Sequence, residues 1–177
     1  RGLGDVYKRQ VHSSGGYMWS RPVDGTGDWQ FADDGNGRGV QVTIGRTHHF
    51  HMNGHNNMWS AELPNGSWVH QAVTTVKQVE VGDSDAFVIY LDGTTLKQKP
   101  SDMTGSWTTI PIPAALATAQ MSQITVGATT LFILDNNGDL WGCDLPCAGG
   151  AAITLANNAP ANIISIDAGK VIHNVPN

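Results

Sequence analysis

The sequence predicts an all-β fold: a β-propeller fragment of about four blades, each a four-stranded antiparallel sheet, set in an open arc rather than a closed ring. Three observations predict it. Gly27-Asp28-Trp29, Gly66-Ser67-Trp68 and Gly105-Ser106-Trp107 stand at an equal step of 39 residues in a chain with six tryptophans. A self-similar period of roughly 20–50 residues marks a solenoid, propeller or array. Between these landmarks lie further repeated ones. Val42-Thr43-Ile44-Gly45 matches Val79-Glu80-Val81-Gly82 and Ile124-Thr125-Val126-Gly127, and Phe50, Phe87 and Phe132 each follow the glycine by five residues. Fourteen residues past the same glycines come Trp59, Leu96 and Trp141. The third observation is the shape of the runs. They are short, rich in Val, Ile, Phe and Tyr, and bounded by turn residues, with no apolar 3.6-residue periodicity of helical length.

The elements follow in order. Residues 1–10 read as a translated sequencing adapter and are set apart from the fold, as a non-native segment would be. The natural start is then missing, and the chain reads as a fragment recovered from environmental DNA. Residues 11–26 form a partial blade ending in the strand around Met18-Trp19-Ser20, which recurs as Met58-Trp59-Ser60. Blades are expected at 27–65, 66–104 and 105–148, with a partial blade at 149–177, where Ala151 stands in place of the tryptophan. In the unit from Gly66, strands are expected at 68–72, 77–81, 86–91 and 94–98. Asp92-Gly93 and Asn137-Gly138 supply the positive φ of tight turns, with Asn56 at the matching place in the first unit. Residues 113–120 are a short insertion in the third unit.

Charge narrows the partners. The net charge is −5, and without residues 1–10 the count is 7 Lys+Arg against 14 Asp+Glu, or −7. With no basic cluster to neutralise phosphates, nucleic acid is not an expected partner. No apolar run approaches the ~20 residues of a spanning helix. Cys143 and Cys147 lack the further ligands a zinc site needs. The reading favoured for them is a local disulfide, which implies a secreted or extracellular setting; two free thiols are the alternative.

Candidate sites come from the repeats. His49 and His51 share one face of a strand, with His55 across a turn. The bland reading, histidines on a solvated strand, outweighs a metal site, so no metal and no other cofactor is expected. Asp33-Asp34, Asp83 with Asp85, and Asp135 with Asp139 are the closest carboxylate pairs. None is singled out as a glycosidase pair, and there is no nucleophile, metalloprotease or phosphate-loop motif. The chain is not expected to be an enzyme. The Gly-x-Trp rings fit packing between blades. Trp59 with Asn56 and Asn57, Trp141 with Asn136, Asn137 and Asp139, and Trp19 combine a ring with polar neighbours, the chemistry that suits a pyranose. Several such sites on one rigid ring would gain avidity toward glycans or glycoconjugates.

The run of V-x-V-G, an aromatic, a turn glycine, a Trp and then G-x-W resembles the tectonin repeat. Its clearest copy runs from Met121-Ser122-Gln123-Ile124-Thr125-Val126-Gly127 through Asn136-Asn137-Gly138-Asp139-Leu140-Trp141. The resemblance implies a propeller and, for many of its members, lectin activity toward bacterial lipopolysaccharide, methylated sugars or egg-surface glycans, some in innate defence. The expectation is therefore a carbohydrate-binding lectin. The alternative is a protein-interaction scaffold using the same loops, and a third reading is a structural array. Leu96 and Ala151 depart from the pattern. The oligomeric state is not legible.

Overall fold

The computed structural model describes residues 7–11, 18–22, 28, 30–31, 38–63, 66–82, 86–147, 153–156, 163 and 165–167. Trp29, Gly149, Gly150, Ala151, Asp33, Asp34, Asp83 and Asp85 lie outside the described residues. Among the described residues, fifteen strands form four antiparallel sheets, and there is one short helix. Sheet I contains β1 (Tyr7–Val11), β2 (Met18–Pro22) and β3 (Gln30–Phe31). Sheet II contains β4 (Gly39–Ile44), β5 (His48–Asn53), β6 (Met58–Glu62) and β7 (Val69–His70). Sheet III contains β8 (Val76–Val81), β9 (Phe87–Asp92), β10 (Thr95–Pro100) and β11 (Thr108–Ile110). After the helix α1 (Ala114–Ala119), sheet IV contains β12 (Met121–Val126), β13 (Thr130–Asp135), β14 (Leu140–Asp144) and β15 (Thr154–Leu155).

The strand order within each sheet is sequential, the up-and-down meander of a propeller blade. The phase of the repeat differs from the expected boundaries. Each Gly-x-Trp triplet leads into the last strand of a sheet, not the first: β7 pairs with β6, and β11 with β10. A periodic sequence fixes the length of the unit but not where it is cut, and hydrogen bonding makes the cut at the V-x-V-G strand. Tyr7–Val11 pairs with Met18–Pro22, so four residues of the segment set apart as an adapter lie in a strand, whatever their origin.

Register also corrects two matched positions. In sheets II and IV, Phe50 pairs with Thr43 and Phe132 with Thr125. The corresponding pair in sheet III is Glu80 with Ile89, not Phe87. The residue in register with Trp59 and Trp141 is Lys97, which faces Tyr90 as they face His51 and Ile133. Leu96 belongs with Met58 and Leu140 on the opposite face. Sheet III has a first loop two residues longer and a second turn one residue shorter, so near-constant spacing conceals a change of register.

Successive sheets pack face to face. Phe50, Met52 and Met58 of sheet II form one core with Val79, Val88 and Tyr90 of sheet III. On the other side of sheet III, Ile89, Leu91, Leu96 and Ile110 meet Leu131, Ile133, Trp141 and Cys143 of sheet IV. Both faces of a middle sheet are thereby buried, which no blade achieves alone. The V-x-V-G glycine answers to this closeness: a Cβ on Gly82 would run into the carbonyl oxygen of Gly127 and the side chain of Val126. The insertion at 113–120 includes a helix of six residues, short but Ala-rich, held by burying Leu116 in the core between sheets III and IV.

Candidate functional site

The polar residues predicted as sugar contacts lie on the turns between the second and third strands of sheets II and IV, with Trp59 and Trp141 in the third strands that follow and Trp19 in β2. Each turn is built on one side chain. In sheet IV, Asp135 Oδ1 accepts the backbone N–H groups of Asn137 and Asp139, both at 2.9 Å, and its Oδ2 accepts the Trp141 indole N–H at 3.0 Å. In sheet II, Asn53 Oδ1 accepts the N–H groups of His55 and Asn57, both at 3.0 Å. The expected left-handed residues are present, with φ of 61° at Asn56, 83° at Gly138 and 56° at Gly93. Two of these turns are also stitched to the next blade. Asn56 O accepts from Val76 N at 3.0 Å and Gly138 O from Ile163 N at 3.3 Å.

These bonds decide what the rings can do. Trp141 is 9 % exposed, lies in the core between sheets III and IV, and has its indole N–H on a carboxylate. Asn136, Asn137 and Asp139 are exposed on the turn beyond it. The polar groups face solvent and the ring does not, so the combination a pyranose requires is not assembled there. This corrects the pairing expected of Trp141. Trp59 is half-buried, 4.8 Å from the His70 ring and 6.5 Å from His51. Its Nε1 is buried without a hydrogen-bond partner among the described residues. The reason is chemical: where sheet IV has Asp135, sheet II has Asn53, whose oxygen already takes two N–H groups and whose other polar atom is a nitrogen donor. Asn56 is exposed, Asn57 half-buried, and Trp19 is half-buried opposite Phe31.

The histidines are not on a solvated face. His49 is 2 % exposed and His51 fully buried, because β5 is an interior strand covered on both sides. The His49 ring stacks on Trp68 at 4.2 Å and 17°, and His51 lies 4.6 Å from the same indole. Trp107 takes the same part in sheet III, with its centroid 4.7 Å from that of Tyr90, while Lys99 sits 5.9 Å from its ring. Both Gly-x-Trp rings among the described residues therefore fold over the sheet they close. Exposed His55 stands apart from His49 and His51, and no group of three potential metal ligands occurs among the described residues. Cys143 and Cys147 form a disulfide, with Cα atoms 5.9 Å apart.

One feature of the first strands was legible but missed. A glutamine precedes every V-x-V-G: Gln41, Gln78 and Gln123. Each clamps a distant backbone with both ends of its amide, and for Gln41 and Gln78 that backbone is the first strand of the next sheet. Gln41 accepts from Val79 N at 3.0 Å and donates to Val79 O at 2.9 Å. Gln78 does the same with Ile124 at 2.8 and 2.7 Å, and Gln123 with Ile166 at 3.1 and 2.7 Å. A one-residue register shift, at Val40, Lys77 and Ser122, immediately precedes each glutamine and aims it out of its own sheet. Glu80 ties two clamps together, accepting from Gln41 at 2.9 Å and Gln78 at 3.0 Å through one oxygen. Burial raises its carboxyl above the ordinary 4.5, the two amide bonds oppose that, and Asp167 adds to it.

No family model and no curated protein matches the chain. Solved structures do. The chain is similar to yeast RCC1 (Prp20), solved bound to Kap60, at 14 % identity over 93 % of this chain and 50 % of that one, with a TM-score of 0.71. Human WBSCR16 matches at 12 % identity over 87 % and 50 %, TM-score 0.63. The N-terminal domain of Nup159 matches at 10 % identity over 78 % and 42 %, TM-score 0.56. The chain spans about half the length of the first of these. At such identities the likeness shows the fold alone, a β-propeller of stacked blades.

Proposed function

We propose that the chain is a protein-interaction scaffold. The observation that carries this reading is the division of labour at the turns. The Trp141 ring is used between blades and the Trp59 ring rests on His51 and His70 of its own sheet, while the turns themselves are rigid and present exposed polar groups. Asp135 and Asn53 lock the turns from inside, and the bonds from Val76 and Ile163 fix them to the next blade. His55, Asn56, Asn136, Asn137 and Asp139 are then displayed on a surface that needs little ordering when a partner docks, which favours affinity. The excess of 14 acidic over 7 basic side chains outside residues 1–10 suits a partner surface rich in Lys and Arg. Solved propellers of this fold include yeast RCC1 bound to Kap60, which is consistent with a protein partner. The Cys143–Cys147 disulfide supports an oxidising, secreted setting.

The test pairs two measurements on the folded chain. A photo-crosslinker placed at Asn137 should give a discrete protein adduct with native extract, lost on Asp139→Lys, while a glycan array stays blank. Dose-dependent glycan binding competed by free sugar, with no protein adduct, would restore the lectin reading carried by the tectonin resemblance.

A further inference from the structure

We propose that Asn137 is a site of spontaneous deamidation, and that the Asp135 lock sets the rate at which it reacts. The chemistry needs an asparagine whose side-chain carbonyl can be reached by the backbone nitrogen of the next residue. A glycine in that next place leaves the approach unobstructed. Among the described residues two asparagines precede a glycine, Asn53 and Asn137. Asn53 is 1 % exposed and its Oδ1 already accepts two backbone N–H groups, so its side chain is held in place. Asn137 is exposed on its turn, and Gly138 after it takes a left-handed φ of 83°.

What restrains Asn137 is the backbone around it. Gly138 N donates to Asp135 O at 3.1 Å, and Asp135 Oδ1 holds the N–H groups on either side, those of Asn137 and Asp139, both at 2.9 Å. The nucleophile is occupied, and reaction waits on local opening of the turn. In the open turn Gly138 N bonds to Asn137 Cγ. The Asn137 side-chain nitrogen leaves as ammonia, taking the proton that Gly138 N gives up. Water then cleaves one of the imide C–N bonds of the cyclic product, and no other reactant is needed. Cleavage on one side leaves aspartate and on the other isoaspartate. Isoaspartate routes the main chain through Cβ, which puts an extra carbon between the two N–H groups that Asp135 Oδ1 bridges. It also leaves a carboxylate near Asp139. The modification therefore dismantles the lock that delayed it. Where the turn meets a partner, a consequence that rests on the scaffold reading, docking declines with the age of the molecule.

Peptide mapping by mass spectrometry tests this, after incubation of the purified chain at mildly alkaline pH in buffer and in guanidinium chloride. In denaturant the four Asn-Gly pairs of the sequence should react alike. In the native chain Asn137 should react about tenfold more slowly than in denaturant, and Asn53 should stay intact. Asp135→Ala should speed the native reaction at Asn137 about fivefold. A native Asn137 that reacts as fast as in denaturant, one that never reacts, or an unchanged rate in Asp135→Ala overturns the proposal. If Asp135→Ala does not fold, the ratio of native to denatured rates in the parent chain decides. The mass readout needs no partner, so its failure leaves the scaffold reading standing, and a failed crosslink at Asn137 leaves the deamidation site standing.

Discussion

Sheets II and IV carry the same turn, from 53 to 57 and from 135 to 139, with the same backbone bonds and a left-handed residue at the same position, Asn56 in one and Gly138 in the other. They differ at the atom that faces the tryptophan. Asp135 gives a second carboxylate oxygen to Trp141, whereas the remaining polar atom of Asn53 is a nitrogen and Trp59 Nε1 has no hydrogen-bond partner among the described residues. The neighbours differ as well: Trp141 lies among Leu131 and Ile133, and Trp59 beside His51 and His70. The repeat thus keeps its backbone while one side-chain atom decides whether the ring is locked. A repeat position defines geometry, and its chemistry has to be read blade by blade.

The largest effect expected from this contrast is at the rings. Trp141→Ala removes a buried indole and leaves Asp135 Oδ2 without its donor, so it should cost about 3–5 kcal/mol. Trp59→Ala should cost less, since the ring is only half-buried and its N–H leaves no acceptor behind. Urea midpoints of the two variants measure the gap. Equal losses would mean that the indole bond contributes nothing to the difference.

Exchanging the turn residues isolates that bond. Asp135→Asn makes sheet IV resemble sheet II, keeps an oxygen for Asn137 and Asp139, and removes the acceptor of Trp141, for an expected loss of about 1–3 kcal/mol. Asn53→Asp is the converse and should gain about 1 kcal/mol by giving Trp59 Nε1 an acceptor. Loss of stability in Asn53→Asp would show that burying the carboxylate outweighs the bond it makes.

The contrast also explains what was legible in the sequence. The repeat length, the four-stranded unit and the turn residues were plain, because hairpin chemistry and alternation are local. The cut between blades was not, since it depends on which strand pairs with which. Phe87 and Leu96 matched by spacing but not by register, because a longer loop and a shorter turn nearly cancel in the residue count. Trp141 looked available for a sugar because its polar neighbours are adjacent in sequence; that its ring points between sheets is a tertiary fact. The pattern Gln-Val/Ile-x-Val/Ile-Gly was visible three times, but a glutamine on a strand has no local role and the partner is 38 to 46 residues away.

The smallest effect concerns sheet III, the sheet between the two compared. At the position of Thr43 in sheet II and Thr125 in sheet IV it carries Glu80, whose burial raises its carboxyl above 4.5. The native state then holds this proton more tightly than the unfolded chain. Below the unfolded value both states are protonated and the group costs nothing. As pH rises from there through the raised native value, the unfolded state loses its proton first and stability falls; above that window the loss is complete. Glu80→Gln retains an oxygen for Gln41 and Gln78 and removes the charge. The variant should match the parent at pH 4 and exceed it at pH 7, as read from urea midpoints at the two values. A variant weaker than the parent at pH 7 would mean that the ionised carboxylate strengthens the two clamps by more than its desolvation costs.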